Sequence, residues 1–286
     1  MSLVTSRRVG HVEVVALLDG HEPCGAIVDA FPDIPPDAHE IAAARHPDLY
    51  ADGAWRLPVR AWLIRHPGGV VLVDTGVGPA TSATMAWFPT PGRLHEALAE
   101  AGASPDQIDT VVITHVHDDH VGGTMTADAT PAFPNARYVV QQADLDALAE
   151  WSADSDEDRV VDAQMIAPVR AAGQLVAVDG HHRLADDLEL RHAPGHTPGH
   201  QVLRIASDGH HLLVAGDTWN HPSQFGRPEW ASATDVEPSR ATATRRAMLA
   251  DLLSHPGSVV APTHLDAPFG RIRTASDGRA AFDALA

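Results

Sequence analysis

Apolar residues fall in short runs, most of them closed by glycine, proline or aspartate, which is the rhythm of strands rather than long helices. Residues 12–18 are rich in valine and end at Asp19-Gly20, read as a turn. Residues 60–66 and 70–74 flank Pro67-Gly68-Gly69 as a hairpin. The second of these strands is apolar on both faces, as a strand covered on both sides should be. Further strands are expected at 108–114, running directly into His115, and at 136–141, 175–178, 188–192, 201–206, 211–215 and 258–261. Helical spacing marks 93–101, with Leu94, Ala97, Leu98 and Ala101 on one side and Gly102 as the stop. It also marks 143–151 and 238–253, the last with Met248, Leu249, Leu252 and Leu253 as its stripe.

One stretch breaks the rhythm. Residues 21–57 carry Pro23, Pro32, Pro35, Pro36 and Pro47, and they read as a long loop or small cap with a short helix at 39–45. Strands dominate both halves, with helices spaced between them. Two packed sheets with helices outside fit this better than strict strand–helix alternation. The 286 residues are read as one α/β (α+β) domain, 1–286, with the cap inserted.

Composition changes the picture in two ways. The chain has 19 histidines, and its 20 basic residues are all arginine. Imidazole is the commonest metal ligand, so the histidines call for a search. The formal net charge is −18, which repels phosphates and argues against nucleic acid as a partner. Cys24 is the single cysteine, so neither an internal disulfide nor a thiolate metal site is expected. Arg7-Arg8 ahead of residues 9–18 resembles a leader, but His11 and Glu13 interrupt the apolar run and no small-residue cleavage site follows. No apolar run approaches the ~20 residues needed to span a bilayer, so a cytoplasmic protein is expected.

The histidines cluster after strand ends. Thr114-His115-Val116-His117-Asp118-Asp119-His120 follows a buried run, and on a tight loop His115 and His117 can converge on one cation while Asp119 and His120 turn to a second. Gly195-His196-Thr197-Pro198-Gly199-His200 holds His196 in a sharp turn as a third nitrogen for the first cation. Asp217, after an apolar run and Gly216, can bridge both cations, and His264 after Pro262-Thr263 completes the second. His200 is expected to hold the His196 turn. The ligand types suit two divalent cations, zinc first, with manganese or iron(II) as alternatives.

The series His-x-His-x-Asp-His, Gly-His-Thr-Pro-Gly-His, Gly-Asp, Thr-His resembles the metallo-β-lactamase-fold superfamily. The likeness covers roughly residues 58–270 and includes Val73-Asp74-Thr75-Gly76. It implies an αββα four-layer sandwich with a dinuclear site at one edge. Asp74 matches a family aspartate that supports the site from outside the ligand set; otherwise it is a turn-forming Asp-x-Gly. The stretch from Gly216 to Phe225, with Asp235 and Arg245-Arg246, resembles the branch of quorum-quenching lactonases and methyl-parathion-type hydrolases. Class B3 β-lactamases lack the bridging aspartate, so Asp217 argues against that activity. The lactonases carry a substrate-orienting tyrosine three residues after it, where this chain has Asn220, followed by His221.

The expected chemistry is attack of a metal-bridging hydroxide on a lactone or carboxylic ester. Phosphotriester hydrolysis and a glyoxalase II-like thioesterase are the alternatives. Asp119 and Asp217 would hold the second cation and relay the released proton. Trp219, Asn220 and His221 could reach the substrate, or support a helix or loop there. Trp87 and Phe88 either wall an apolar pocket or pack beneath the cap. The cap could also serve a homodimer contact.

Overall fold

A computed structural model describes residues 2–285. Its strands fall into two sheets that follow chain order. The first sheet holds β1 (Val4–Val9), β2 (Val12–Ala26), β3 (Tyr50–Ala51), β4 (Ala54–His66), β5 (Gly69–Val73), β6 (Thr110–Val112), β7 (Arg137–Gln141) and β8 (Leu175–Val178). The second holds β9 (His182–Ala185), β10 (Leu188–His192), β11 (Gln201–Ser207), β12 (His210–Val214), β13 (Val259–Ala261), β14 (Gly270–Thr274) and β15 (Ala280–Ala284).

Side-chain alternation builds the layers. In β2, Val12, Val14 and Ala16 face the space between the sheets, while Val15 and Leu17 face the outer helices. In β12, Leu212 and Val214 point inward and Leu213 outward. Trp62 on β4 meets Phe269 edge-on at 5.4 Å across the inter-sheet core. Each such buried apolar side chain contributes about 1.5–3 kcal/mol relative to exposure. Leu94 and Leu98 of the 94–100 helix, with Leu148 of the helix Gln142–Asp154, cover the first sheet's outer face. The helix Pro238–Ser254 covers the second. The result is the αββα sandwich that the sequence resemblance implied.

Strand direction puts the loops of interest at one edge. β5, β6, β7 and β8 run parallel, as do β12 and β13. Parallel neighbours end on the same side, so the loops after β5, β6, β12 and β13 emerge together.

Several expectations need correction. Asp19-Gly20 is not a turn: β2 continues through it with a register shift between Leu18 and Gly20. Gly20 is required there because a Cβ would lie 2.6 Å from the Phe88 ring. The insertion is narrower than 21–57, because β2 runs to Ala26 and β4 starts at Ala54. Pro23 is accommodated where the β2–β4 register shifts again. The cap proper, 27–53, contains the helix Pro36–Arg45, one turn longer than expected because Pro36 opens it at its first position. Ile27, Phe31 and Ile34 form its small core against Trp55 and Trp230, and His46–Asp266 (3.0 Å) ties it to the body. In the 238–254 helix the buried side is Ala241, Arg245, Leu249 and Leu252, while Leu253 is 41% exposed. The pattern did not reveal edge strand β1, whose Ser6, Arg7 and Arg8 hide its alternation, or the C-terminal hairpin β14–β15. Among the described residues, no helix is long and apolar enough to cross a membrane.

Candidate metal centre

The loop after β6 is fixed from outside. Asp74, at the end of β5, adopts φ 61°, a left-handed backbone that costs a non-glycine residue energy. Its Oδ1 accepts the Thr114 amide at 2.7 Å, and its Oδ2 accepts the Thr114 hydroxyl and His120 Nδ1–H, both at 2.8 Å. The Thr114 hydroxyl proton is thus committed to Asp74, so Thr114 Oγ1 accepts from His115 Nδ1–H at 3.0 Å. Both imidazoles therefore turn a bare Nε2 inward. A single helical turn, Asp118–Val121, rotates Asp119 and His120 toward the same point.

Three more side chains arrive from the second sheet. His196 donates Nδ1–H to Asp235 Oδ1 at 3.1 Å, which frees its Nε2. His264 donates Nδ1–H to the Pro58 carbonyl at 2.8 Å, with the same result. Asp217 sits after Gly216, where a Cβ would lie 2.7 Å from His200 Nε2, so only glycine fits. That His200 nitrogen accepts the Asp217 amide at 3.0 Å, and its Nδ1–H is given to the Ala193 carbonyl at 3.1 Å. His200 thus holds both the His196 turn and the Asp217 backbone.

The seven side chains meet in two groups joined by one carboxylate. His115 Nε2 and His196 Nε2 each lie 3.0 Å from His117 Nδ1. His120 Nε2 and His264 Nε2 lie 3.2 Å apart, and Asp119 Oδ2 is 3.5 Å from His264 Nε2. Asp217 Oδ1 is 3.1 Å from His120 Nε2 and 3.2 Å from His264 Nε2, while Asp217 Oδ2 is 3.4 Å from His196 Nε2.

Electrostatics distinguish the groups. Burial pushes His115 and His117 well below the ordinary imidazole value, and neighbouring histidines push the same way. Their converging lone pairs reject protons, so a Lewis acid suits the point between them. Burial opposes charge on His120 and His264 as well. There the Asp217 and Asp119 carboxylates outweigh it, joined by Asp74 at His120, and both pKa values rise. Asp217 is held well below its usual range by His264 and His120, against burial. Something positive must sit among these atoms, either protons or cations that displace them. The donor set fits two divalent cations.

Comparisons with known proteins agree with this geometry. The metallo-beta-lactamase superfamily pattern matches residues 54–264. The chain belongs to that superfamily. Its relatives include an N-acyl homoserine lactonase of Bacillus sp, 27% identical over 165 residues, which are 53% of this chain and 60% of that one. A hydroxyacylglutathione hydrolase of Aeromonas salmonicida (strain A449) is 30% identical over 159 residues, 55% of this chain and 45% of that one. The chain thus spans about half the length of these curated relatives. Hydrolase AbOPH shares the fold at TM-score 0.86 and 24% identity, covering 100% of this chain and 98% of that one. The dizinc quorum-quenching lactonase AidC shares it at TM-score 0.85 and 22% identity, with the same coverage.

In this member of the superfamily, a cavity of about 630 Å³ opens above His117, Asp119, Asp217 and His264. Trp87 lines it, 38% exposed, with its Nε1–H donated to Asp118 Oδ2 at 2.7 Å. Asn220 lines it too, 1% exposed and with no partner for its side-chain Oδ1. The other residues expected at the substrate lie elsewhere. Phe88 is 1% exposed and packs on Gly20 with Leu57, Val59 and Val77. Trp219 is fully buried and stacks on Phe225 at 4.8 Å in the core beneath the second sheet. His221 is buried under the cap. Its Nδ1 accepts the Ser223 amide at 3.2 Å, so its Nε2–H is given to Tyr50 Oη at 2.8 Å, and Tyr50 in turn donates to His39 Nδ1 at 3.1 Å. Burial pushes the His221 pKa down to about 3, which keeps it neutral.

Sequence reasoning passed over several supporting groups. Asp144 accepts the Gly199 amide at 2.6 Å, the Thr197 hydroxyl at 3.0 Å and the Val116 amide at 3.2 Å, so it joins the two histidine loops. Arg60 Nη1 donates to the Thr263 carbonyl at 2.9 Å and steadies the His264 loop from β4. Arg245, already marked by the family resemblance, binds Asp235 at 2.6 Å and the Thr218 carbonyl at 2.8 Å. In the sequence, Asp144 reads as a helix N-terminal acid and Arg60 as a strand residue; only long-range pairing gives them their roles.

Proposed function

We propose that the chain is a dinuclear metal-dependent hydrolase that opens lactones or cleaves carboxylic esters. The observation that carries this reading is Asp217, whose two oxygens reach the two groups of inward-facing histidine nitrogens. His115, His117 and His196 would hold one cation and Asp119, His120 and His264 the other, with Asp217 shared. Zinc is the first choice and manganese or iron(II) the alternatives for such nitrogen–oxygen sets. When bound, the cations supply Lewis acidity and a water ionised near neutral pH.

The chain's own residues do the rest. Asp74, Asp235 and the Pro58 carbonyl fix the tautomers of His120, His196 and His264, so each presents Nε2 without rotating during turnover. The Asp119 carboxylate, on the cavity floor, accepts the proton released on attack and returns it to the departing alkoxide. The Asn220 amide, unpartnered and facing the same space, binds a substrate oxygen through Nδ2–H in the place where lactonases use tyrosine. Leu57 and Trp55 give the cavity an apolar wall for an acyl or alkyl group.

Among the described residues lining the cavity there is no arginine, and the chain has no lysine. An anionic glutathione thioester would find no counter-charge there, whereas an uncharged phosphotriester would meet no such obstacle and is the second reading. The test is a pH-indicator assay on metal-reconstituted protein with lactones, acyl-homoserine lactones, aryl esters, a phosphotriester and a glutathione thioester. Turnover of lactones or esters, lost in Asp217→Ala, is the expected result. Turnover confined to the glutathione thioester would overturn it.

A further inference from the structure

The cavity mouth carries a charge pattern that the hydrolytic chemistry does not use. Asp29 stands on the cap side, and Asp118, Glu157 and Asp158 line the same space. Among the described residues, none of these carboxylates makes an ion pair, although ten other aspartates and glutamates near the surface do so with arginine. They are not all freely solvated: Asp118 is held by the Trp87 indole N–H and, like Asp158, is only partly exposed. Three unneutralised carboxylates around one opening, Asp29, Glu157 and Asp158, repel one another, a cost that a cationic occupant would relieve.

Two further features point to the same kind of ligand. Trp55 and Trp87 both line the opening, and indole is the aromatic system that attracts ammonium groups most strongly. Independently, Asn220 is 1% exposed and its side-chain Oδ1 has no partner, so the deep end of the cavity also offers an acceptor in want of a positive or hydrogen-bearing group. A solvated acidic face would show neither two indoles lining it nor a buried acceptor.

Resting on the hydrolase reading above, we propose that the preferred substrates are esters or lactones bearing an ammonium-type cation, held at the mouth by Asp29, Glu157 and Asp158 and by the Trp55 and Trp87 rings. The scissile carbonyl would lie over Asp217 while the cation stays among the carboxylates. Such a pattern also rejects anionic substrates by repulsion, which gives the enzyme selectivity by charge without any change at the metal centre.

The experiment measures binding first, by calorimetry on metal-loaded protein, with choline and its uncharged isostere 3,3-dimethylbutan-1-ol. Choline should bind at least about tenfold more tightly at low salt, and the gap should narrow as ionic strength rises. Glu157→Gln/Asp158→Asn should close most of the gap. Asp29→Asn, from the opposite wall, should do so in part, and it serves if the double variant fails a circular-dichroism check. Equal or tighter binding of the isostere, or a preference unaltered by these variants, overturns the proposal. Matched cationic, neutral and anionic esters are then assayed. Hydrolysis of none of them, with choline still preferred, counts against the hydrolase reading alone. Hydrolysis of the neutral ester at least as fast as the cationic one overturns charge selection alone.

Discussion

The first sheet delivers its four candidate ligands from one loop, His115 to His120, while the second delivers His196, Asp217 and His264 from three separate strand ends. The first loop is stiffened by a single hub, Asp74, which fixes His115 through Thr114 and His120 directly. The later ligands each have their own support: Asp235 for His196, His200 for the Asp217 backbone and the Pro58 carbonyl for His264. A concentrated motif can share one brace, whereas dispersed ligands need one apiece. Buried carboxylates near the two sets of loops also differ in charge. Asp235 has Arg245 beside it and a depressed pKa, because hydrogen bonds from His196 and the guanidinium outweigh burial. Asp19, which accepts the Val77 amide at 2.7 Å beneath the loop after β5, makes no ion pair among the described residues, and burial pushes its pKa up to about 6.

The largest test of this contrast removes Asp217, the candidate ligand the two groups share. Asp217→Ala should lower hydrolysis by on the order of a thousandfold or more and reduce bound metal below two ions per chain. Unchanged metal content with full activity would break the dinuclear reading.

The next test sets Asp19 against Asp235. The folded pKa of Asp19 lies above its unfolded value, so the folded state keeps a proton between about pH 3.8 and about 6 that the unfolded state loses. Asp19 therefore favours folding less as pH rises through that window. Above it, Asp19→Asn should gain up to about 3 kcal/mol relative to its own difference at pH 4. Asp235 works in the opposite sense. Its folded pKa is depressed, so its contribution is present above the unfolded value and lost as pH falls through the folded one. Urea titrations of each variant against wild type, at pH 4 and pH 7, separate the two. The Asp19→Asn difference should change across that range, and the Asp235→Asn difference should stay nearly constant because its loss lies below pH 4. An Asp19→Asn difference independent of pH would sink the assignment.

Comparing the braces themselves comes third. Asp74→Asn should weaken metal retention about 100-fold because it loosens two histidines, and Asp235→Asn about tenfold because it loosens one. Competition with a chelator reads both, and the reverse order would show that the hub is not shared. The smallest effect belongs to the cap. Tyr50→Phe interrupts the His221–Tyr50–His39 chain and should cost about 1 kcal/mol of stability, with KM rising more than kcat falls.

Much of this was legible before the structure. The strands that hold the site have strong apolar runs, and β8, β10 and the 238–254 helix begin where the pattern placed them. His115, His117, Asp119 and His120 stand out because a short loop compresses them into one motif. Phe88 and Trp219 stayed open between a pocket wall and the core, because a large aromatic after a strand suits either. The choice was made by Gly20 and Phe225, which lie far from Phe88 or pack only in three dimensions.

By itself, then, the sequence determined the two-sheet architecture and singled out the candidate ligand side chains, because both depend on local periodicity and residue type. Tertiary structure decided which atoms those side chains present. The inward Nε2 of His196 follows from its hydrogen bond to Asp235, 39 residues on, and the acceptor role of His200 from its bonds to Ala193 and Asp217, 7 and 17 residues away. It also turned Asp29, Glu157 and Asp158, unremarkable in a chain of charge −18, toward one opening. Long-range pairing sets the direction of a side chain, and no local pattern encodes it.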